Sequence, residues 1–144
     1  MEKEPAKFSR TVYVLSYVSL FADIASELLY PVLPIYLHTI GFNTAMIGVL
    51  EGVADLVAGL SKSFFGRWSD VIGRRMPFVW IGYFASILSK GLIGILTVPA
   101  WIFFCRTVDR LGKGVRTSAR DAILADEATE STRGAVFGFH RAMD

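Results

Sequence analysis

Four apolar runs, each of bilayer-spanning length, are separated by short polar joints: about Thr11 to His38, Thr44 to Phe65, Met76 to Leu96 and Ala100 to Asp126. At a rise of 1.5 Å per residue the second run, of about 22 residues, reaches about 33 Å, enough for a hydrocarbon core of about 30 Å. The pattern predicts four transmembrane helices. The first run is longer and carries Pro31 and Pro34, which predicts a kinked outer end. The final stretch RGAVFGFHRAMD, residues 133–144, reads as the start of a fifth helix and reaches only about 18 Å. The chain is therefore expected to be one portion of a longer helical bundle. Its opening, MEKEPAKFSR, is mixed in charge, and the run behind it is too long and too polar-punctuated for a removable signal peptide, so it is expected to stay attached.

The fourth run breaks the apolar rule. Arg106 to Asp121 holds seven charged side chains, and each ionised residue near a bilayer centre costs about 2.5–3.5 kcal/mol on insertion scales. At 100° per residue, Arg106, Asp109, Arg110, Lys113, Arg116, Thr117, Arg120 and Asp121 fall within an arc of about 140°. Phe104, Val108, Leu111, Val115, Ala119 and Ala122 take the other side. This predicts a helix with its charges toward a bundle interior and its apolar side toward lipid or a neighbour. The first run places Ser16, Ser19, Asp23, Ser26, Glu27 and Tyr30 on one face, and the second places Glu51, Asp55 and Lys62 on another. Carboxylates at i and i+4, as in Asp23/Glu27 and Glu51/Asp55, share a face and repel, so one of each pair is expected to be able to hold a proton near neutral pH. The same carboxylates would alternatively serve as ion-pair partners for the arginines of the fourth run. Lys90 stands alone among Ser86, Ser89 and Gly91 in the third run. Snorkelling, pairing with the second helix and a second polar path are all open to it.

Composition fits a chain whose solvent is lipid: 53% of its 144 residues are apolar, 13 are glycine, and the mean hydropathy is +0.46. Net charge is only +2, and the basic residues are scattered rather than gathered on one strip, which argues against a nucleic-acid partner. Lys3, Lys7 and Arg10 precede the first run and Arg67, Arg74 and Arg75 fill the second joint, whereas the first and third joints, HTIGFNT and TVPA, carry no Lys or Arg. The positive-inside rule then places the N-terminus and the second joint in the cytoplasm. The lone Cys105 has no disulfide partner and reads as a small packed apolar group. No serine–histidine arrangement in matched helices, no H-E-x-x-H and no metal-ligand spacing around His38 or His140 is present, so neither an enzyme nor a metal or other cofactor is expected.

The second joint, Gly66-Arg67-Trp68-Ser69-Asp70-Val71-Ile72-Gly73-Arg74-Arg75, resembles the G-x-x-x-D-R/K-x-G-R/K-R/K loop between helices two and three of the major facilitator superfamily. Val71 departs from it, standing where that family usually has Arg or Lys. Arg106 followed by Gly112 and Gly114 is similar to the family's arginine-plus-glycine signature in helix four, and Arg133-Gly134 to its usual entry into helix five. Asp109 and Arg110 depart from the family in standing where small residues are common. The resemblance covers essentially the whole chain. It implies an all-α polytopic membrane protein, here the N-terminal part of a twelve-helix fold in two six-helix halves, with a solute bound near the midplane and exposed alternately to each side. In that fold helices one, four and five line the cavity, helix two forms its edge, and helix three is peripheral.

The resemblance further implies secondary active transport in a prokaryotic plasma membrane. Protons are the expected coupling ion, and the expected partners are lipid, a small solute and the remaining helices. Asp23, Glu27, Glu51, Asp55, Arg106, Asp109, Arg110, Lys113, Arg116, Arg120 and Asp121 are the candidate solute or proton path. Gly66, Asp70, Gly73, Arg74 and Arg75 are the candidate gating loop, and Gly112 and Gly114 the candidate packing positions. The cation excess on helix four favours an anionic or zwitterionic solute, with export of drug-like compounds left open. The competing reading is a small four-helix membrane protein acting as scaffold, channel or assembly subunit.

Overall fold

A computed structural model describes residues 8–144, so Lys3 and Lys7 of the charge-based orientation lie outside the described residues. These residues form five α-helices and no strand: α1 (Arg10–Thr39), α2 (Thr44–Ile72), α3 (Met76–Leu92), α4 (Pro99–Glu127) and α5 (Arg133–Met143). Local chemistry sets their limits. Ser9 Oγ accepts from the Val12 N–H at 3.3 Å to start α1, and Asn43 Oδ1 accepts from the Met46 N–H at 2.8 Å to start α2. Pro77 and Pro99 lie in the first turns of α3 and α4, where a missing N–H costs nothing. Gly73, at φ +68°, closes α2 in the left-handed conformation that glycine adopts without strain.

Two expectations need correction. α2 does not stop at Phe65 but continues to Ile72, so most of the Gly66–Arg75 motif is helix and only Gly73 to Arg75 bridges to α3. The apolar run ends near Phe65, whereas the backbone continues helical through two more polar turns. α1 runs through Pro31 and Pro34 to Thr39, close to its expected end. α3 ends at Leu92, short of the expected Leu96.

α4 is the central element, packed along its length by α2 and α3, while α1 rests on it more lightly and carries α5. Small residues allow the close approach. A Cβ on Gly82 would lie 2.7 Å from the Gly112 carbonyl oxygen, and one on Gly112 would lie 2.7 Å from that of Gly82, so α3 and α4 touch backbone to backbone. A Cβ on Gly114 would lie 1.9 Å from Ser61 Oγ and 2.6 Å from the Ala58 carbonyl oxygen of α2.

Apolar packing is concentrated at the two ends of the bundle. One cluster joins Val12, Leu15, Val79, Ala119, Leu124 and Val136; the other joins Leu33, Leu37, Phe42, Leu50, Ile102 and Cys105. Along α4 the charged residues from Arg106 to Arg116 lie between them, so these polar groups are held between two apolar caps. Phe21, Leu28, Phe64, Trp80, Phe84 and Ile87 are exposed on the outside, an apolar exterior suited to lipid. Of the five helices, α1 and α2 are long and apolar enough to cross a membrane by length and composition alone.

Candidate functional site

Walking along α4 from its N-terminal end, each charge meets partners supplied by other helices. Arg106 is buried and makes a bidentate contact with Glu51 of α2, Nε and Nη2 donating to the two carboxylate oxygens at 2.8 Å each. Its Nη1 donates to Asp109 Oδ2 at 3.3 Å. Arg110 reaches the same Glu51 at 3.4 Å and Asp55 at 3.5 Å. Asp109, also buried, accepts from Ser86 Oγ of α3 and lies 3.3 Å from the Lys90 ammonium.

A turn further on, Asp23 of α1 is shared by two cations, Arg116 at 3.2 Å and Lys113 at 3.7 Å. The Arg116 guanidinium stacks over the Tyr83 ring with its carbon 4.6 Å from the centroid. Only 1% of Arg116 is exposed, yet its Nε and Nη1 have no hydrogen-bond partner among the described residues. Arg120 donates to Ser19 of α1, to Asp144 at 2.6 Å and to the adjacent Asp121 at 3.3 Å. Asp121 also lies 4.0 Å from Lys62 of α2.

The i, i+4 carboxylate pairs therefore do not confront one another as isolated repelling acids. Glu51 and Asp55 are both drawn to Arg110, and Asp23 is drawn to α4 while Glu27 lines an opening between α1 and α5 and has no ion pair among the described residues. Asp55 is mostly exposed and Lys113 partly so. The apolar side of α4 is also divided: Val115 and Ala119 are buried, whereas Phe104 and Leu111 face outward.

At the end where α2 passes into α3, Arg75 ties three segments together. It donates to Asp70 at 3.1 Å, to the Ala122 carbonyl at 2.9 Å and to Asp126 near the end of α4. Asp126 above all raises the Arg75 pKa further above its ordinary value, so the guanidinium is charged at every working pH. Gly66 packs on α4, where an added Cβ would lie 3.3 Å from that of Ser118, and Arg74 is exposed.

Several members of the network escape a reading by residue type. Ser19 is fully buried and bonds both Arg120 and the Tyr83 hydroxyl, the latter at 3.1 Å. His140 is fully buried with Nδ1 3.1 Å from Ser16 Oγ. α3 is no mere periphery, since Tyr83, Ser86 and Lys90 all enter the polar centre. The signal available in sequence was the spacing of Gly82, Ser86, Ser89 and Lys90, which puts small and polar groups on one helical face.

Over most of its length the sequence matches one family of membrane transporters. A sequence profile of the Major Facilitator Superfamily matches residues 15–144. An uncharacterised MFS-type transporter of Methanocaldococcus jannaschii is 33% identical over 138 residues, covering 96% of this chain and 34% of that protein. Multidrug resistance protein 2 of Bacillus subtilis is 22% identical over 138 residues, 95% of this chain and 34% of its own length. Citrate exporter 1 of Aspergillus niger is 22% identical over 127 residues, 88% of this chain and 24% of its own. The chain thus spans about a third of the length of the first of these relatives. With its helical bundle, apolar exterior and family-wide sequence match, the chain belongs to the Major Facilitator Superfamily.

Proposed function

We propose that this chain is the N-terminal part of a proton-coupled secondary transporter that moves a small anionic or zwitterionic solute across a prokaryotic plasma membrane by alternating access. The observation that carries the reading is the sharing of one carboxylate, Asp23, between two cations, Arg116 and Lys113. Charges at bilayer depth are costly, and structural pairing alone would be served by one acid per base. On α4 itself Arg106, Arg110, Lys113, Arg116 and Arg120 outnumber Asp109 and Asp121, and such a surplus of cations attracts anions. Proton binding to Asp23 would release both cations, so a proton and an anion would favour each other's entry. Family membership favours this reading over a scaffold or assembly subunit.

Arg106, held by Glu51 and Asp109, is the second candidate station on the proton path. The ties from Arg75 to Asp70 and to the end of α4 support a gating role for Gly66, Asp70, Gly73, Arg74 and Arg75. Arg10, Arg67, Arg74 and Arg75 support a cytoplasmic N-terminus. Two of the relatives are named for their solutes, drugs and citrate, and the cation excess along α4 favours the acid.

The test is reconstitution of the complete polypeptide in proteoliposomes enclosing a pH-sensitive dye. Adding single members of a panel of small carboxylic and amino acids should produce proton movement with at least one of them, saturable and dependent on Asp23. Transport confined to lipophilic cations would overturn the anionic reading. Solute movement with no accompanying proton movement would overturn the coupling.

A further inference from the structure

Lys90 is the one charge of α3 that lies within the bundle, and the transport reading above gives it no task. Its ammonium is 3.0 Å from Ser26 Oγ of α1, 3.0 Å from Ser86 Oγ on its own helix, and 3.3 Å from Asp109 Oδ1 of α4. The side chains of Lys90 and Asp109 are only 18% and 11% exposed. Neither snorkelling nor pairing with α2 describes this placement. The ammonium plugs the point where α1, α3 and α4 converge.

Its partner Asp109 is the pivot of a longer series. One carboxylate oxygen takes Ser86 and Lys90, the other takes Arg106, and Arg106 in turn makes its bidentate contact with Glu51, which also meets Arg110. The signs alternate from α3 to α2 as Lys90, Asp109, Arg106, Glu51, Arg110, Asp55. Removing the first cation would leave Asp109 with only Arg106 to neutralise it, a guanidinium already shared with Glu51, and would draw it toward Asp109. We propose that Lys90 is a positioning residue of this series: its ammonium holds Asp109 as a carboxylate, and so keeps Arg106 committed to Glu51. This rests on the proton-path reading of Arg106 and Glu51.

The surrounding charges are consistent in sign. Lys113 and Arg116 of α4 add to the positive field at Lys90, Asp109 is its nearest acid, and α1 contributes the neutral Ser26 at the junction. From α2 the groups facing the series are Glu51 and Asp55. An opposite charge within about 4–6 Å shifts a carboxyl titration by about 1–3 pH units toward the charged form. The rigid backbone contact between Gly82 and Gly112 fixes α3 on α4 and prevents the pair from simply parting.

The experiment uses the full-length protein in lipid membranes and reads carboxyl protonation by infrared difference spectroscopy across pH, a readout that needs no transported solute. In K90A a protonated-carboxyl band should appear at a pH about 1–3 units higher than in the unsubstituted protein. K90R should restore the original midpoint, and the double variant K90A/D109N, which removes both charges, should lose the new band. Correct assembly of K90A and the double variant is checked by gel filtration, and D109N alone supplies a comparison should K90A fail to assemble: losing the band that D109N assigns while Lys90 is present would place the proton on Asp109 already and overturn the proposal. So would an unchanged midpoint in K90A. Failure of proton coupling shows differently, as absent proton movement in proteoliposomes of the unsubstituted protein, and it is scored apart from the infrared midpoint.

Discussion

At the scale of single residues, the placement of Arg106 makes a strong prediction. Its guanidinium serves Glu51 and Asp109 together, so R106A leaves Glu51 with Arg110 alone and Asp109 with Lys90 alone. Losing one partner of a buried pair costs about 3–5 kcal/mol. The transporter should lose thermal stability by about that amount and its solute movement should no longer follow the proton gradient, as measured by thermal unfolding and by uptake against imposed pH. An unchanged pH dependence would remove Arg106 from the proton path. Residue type made the charged face of α4 legible, because each charge can be placed on a helical wheel. The partners were not legible. Periodicity fixes which residues share a face, but not the rotation of one helix about its axis relative to its neighbour. Glu51 meeting Arg106, and Lys90 meeting Asp109, follow from that relative rotation, and so does the burial of His140 against Ser16.

Among the elements, α4 matters most because it is clasped on two sides. Gly114 lies against α2 so closely that a Cβ would fall 2.6 Å from the Ala58 carbonyl oxygen, which is backbone and cannot rotate away. G114A should therefore force the two helices apart and destabilise the bundle by about 1–3 kcal/mol, the usual cost of overpacking. Chemical denaturation in detergent checks it, and a loss under about 0.5 kcal/mol, the size of an ordinary surface substitution, would contradict the contact. The existence of α1 to α4 was readable from run lengths alone. The end of α2 was not, since hydropathy reports where lipid ends and not where the helix does. Gly73 in its left-handed conformation, its N–H bonded to the Ser69 carbonyl, is the local device that stops α2 after Ile72.

For the whole molecule, the end of the bundle where α2, α3 and α4 meet is held by Arg75, which stays charged throughout the working range. D70N removes one of the two acids that meet Arg75 without changing volume, so membrane insertion should be normal while the transport rate falls several-fold. Normal rates in D70N would sink the gating role.

The glycine contacts have one more consequence. Gly82, Gly112 and Gly114 set how near α2, α3 and α4 stand, whereas on the transport reading proposed above the acids and bases between the apolar caps would set what the space prefers. Shape and preference would then be written at different positions of the bundle. Solute choice becomes open to redesign by exchanging acid and base partners two at a time, with the glycines left untouched so that the frame survives the exchange.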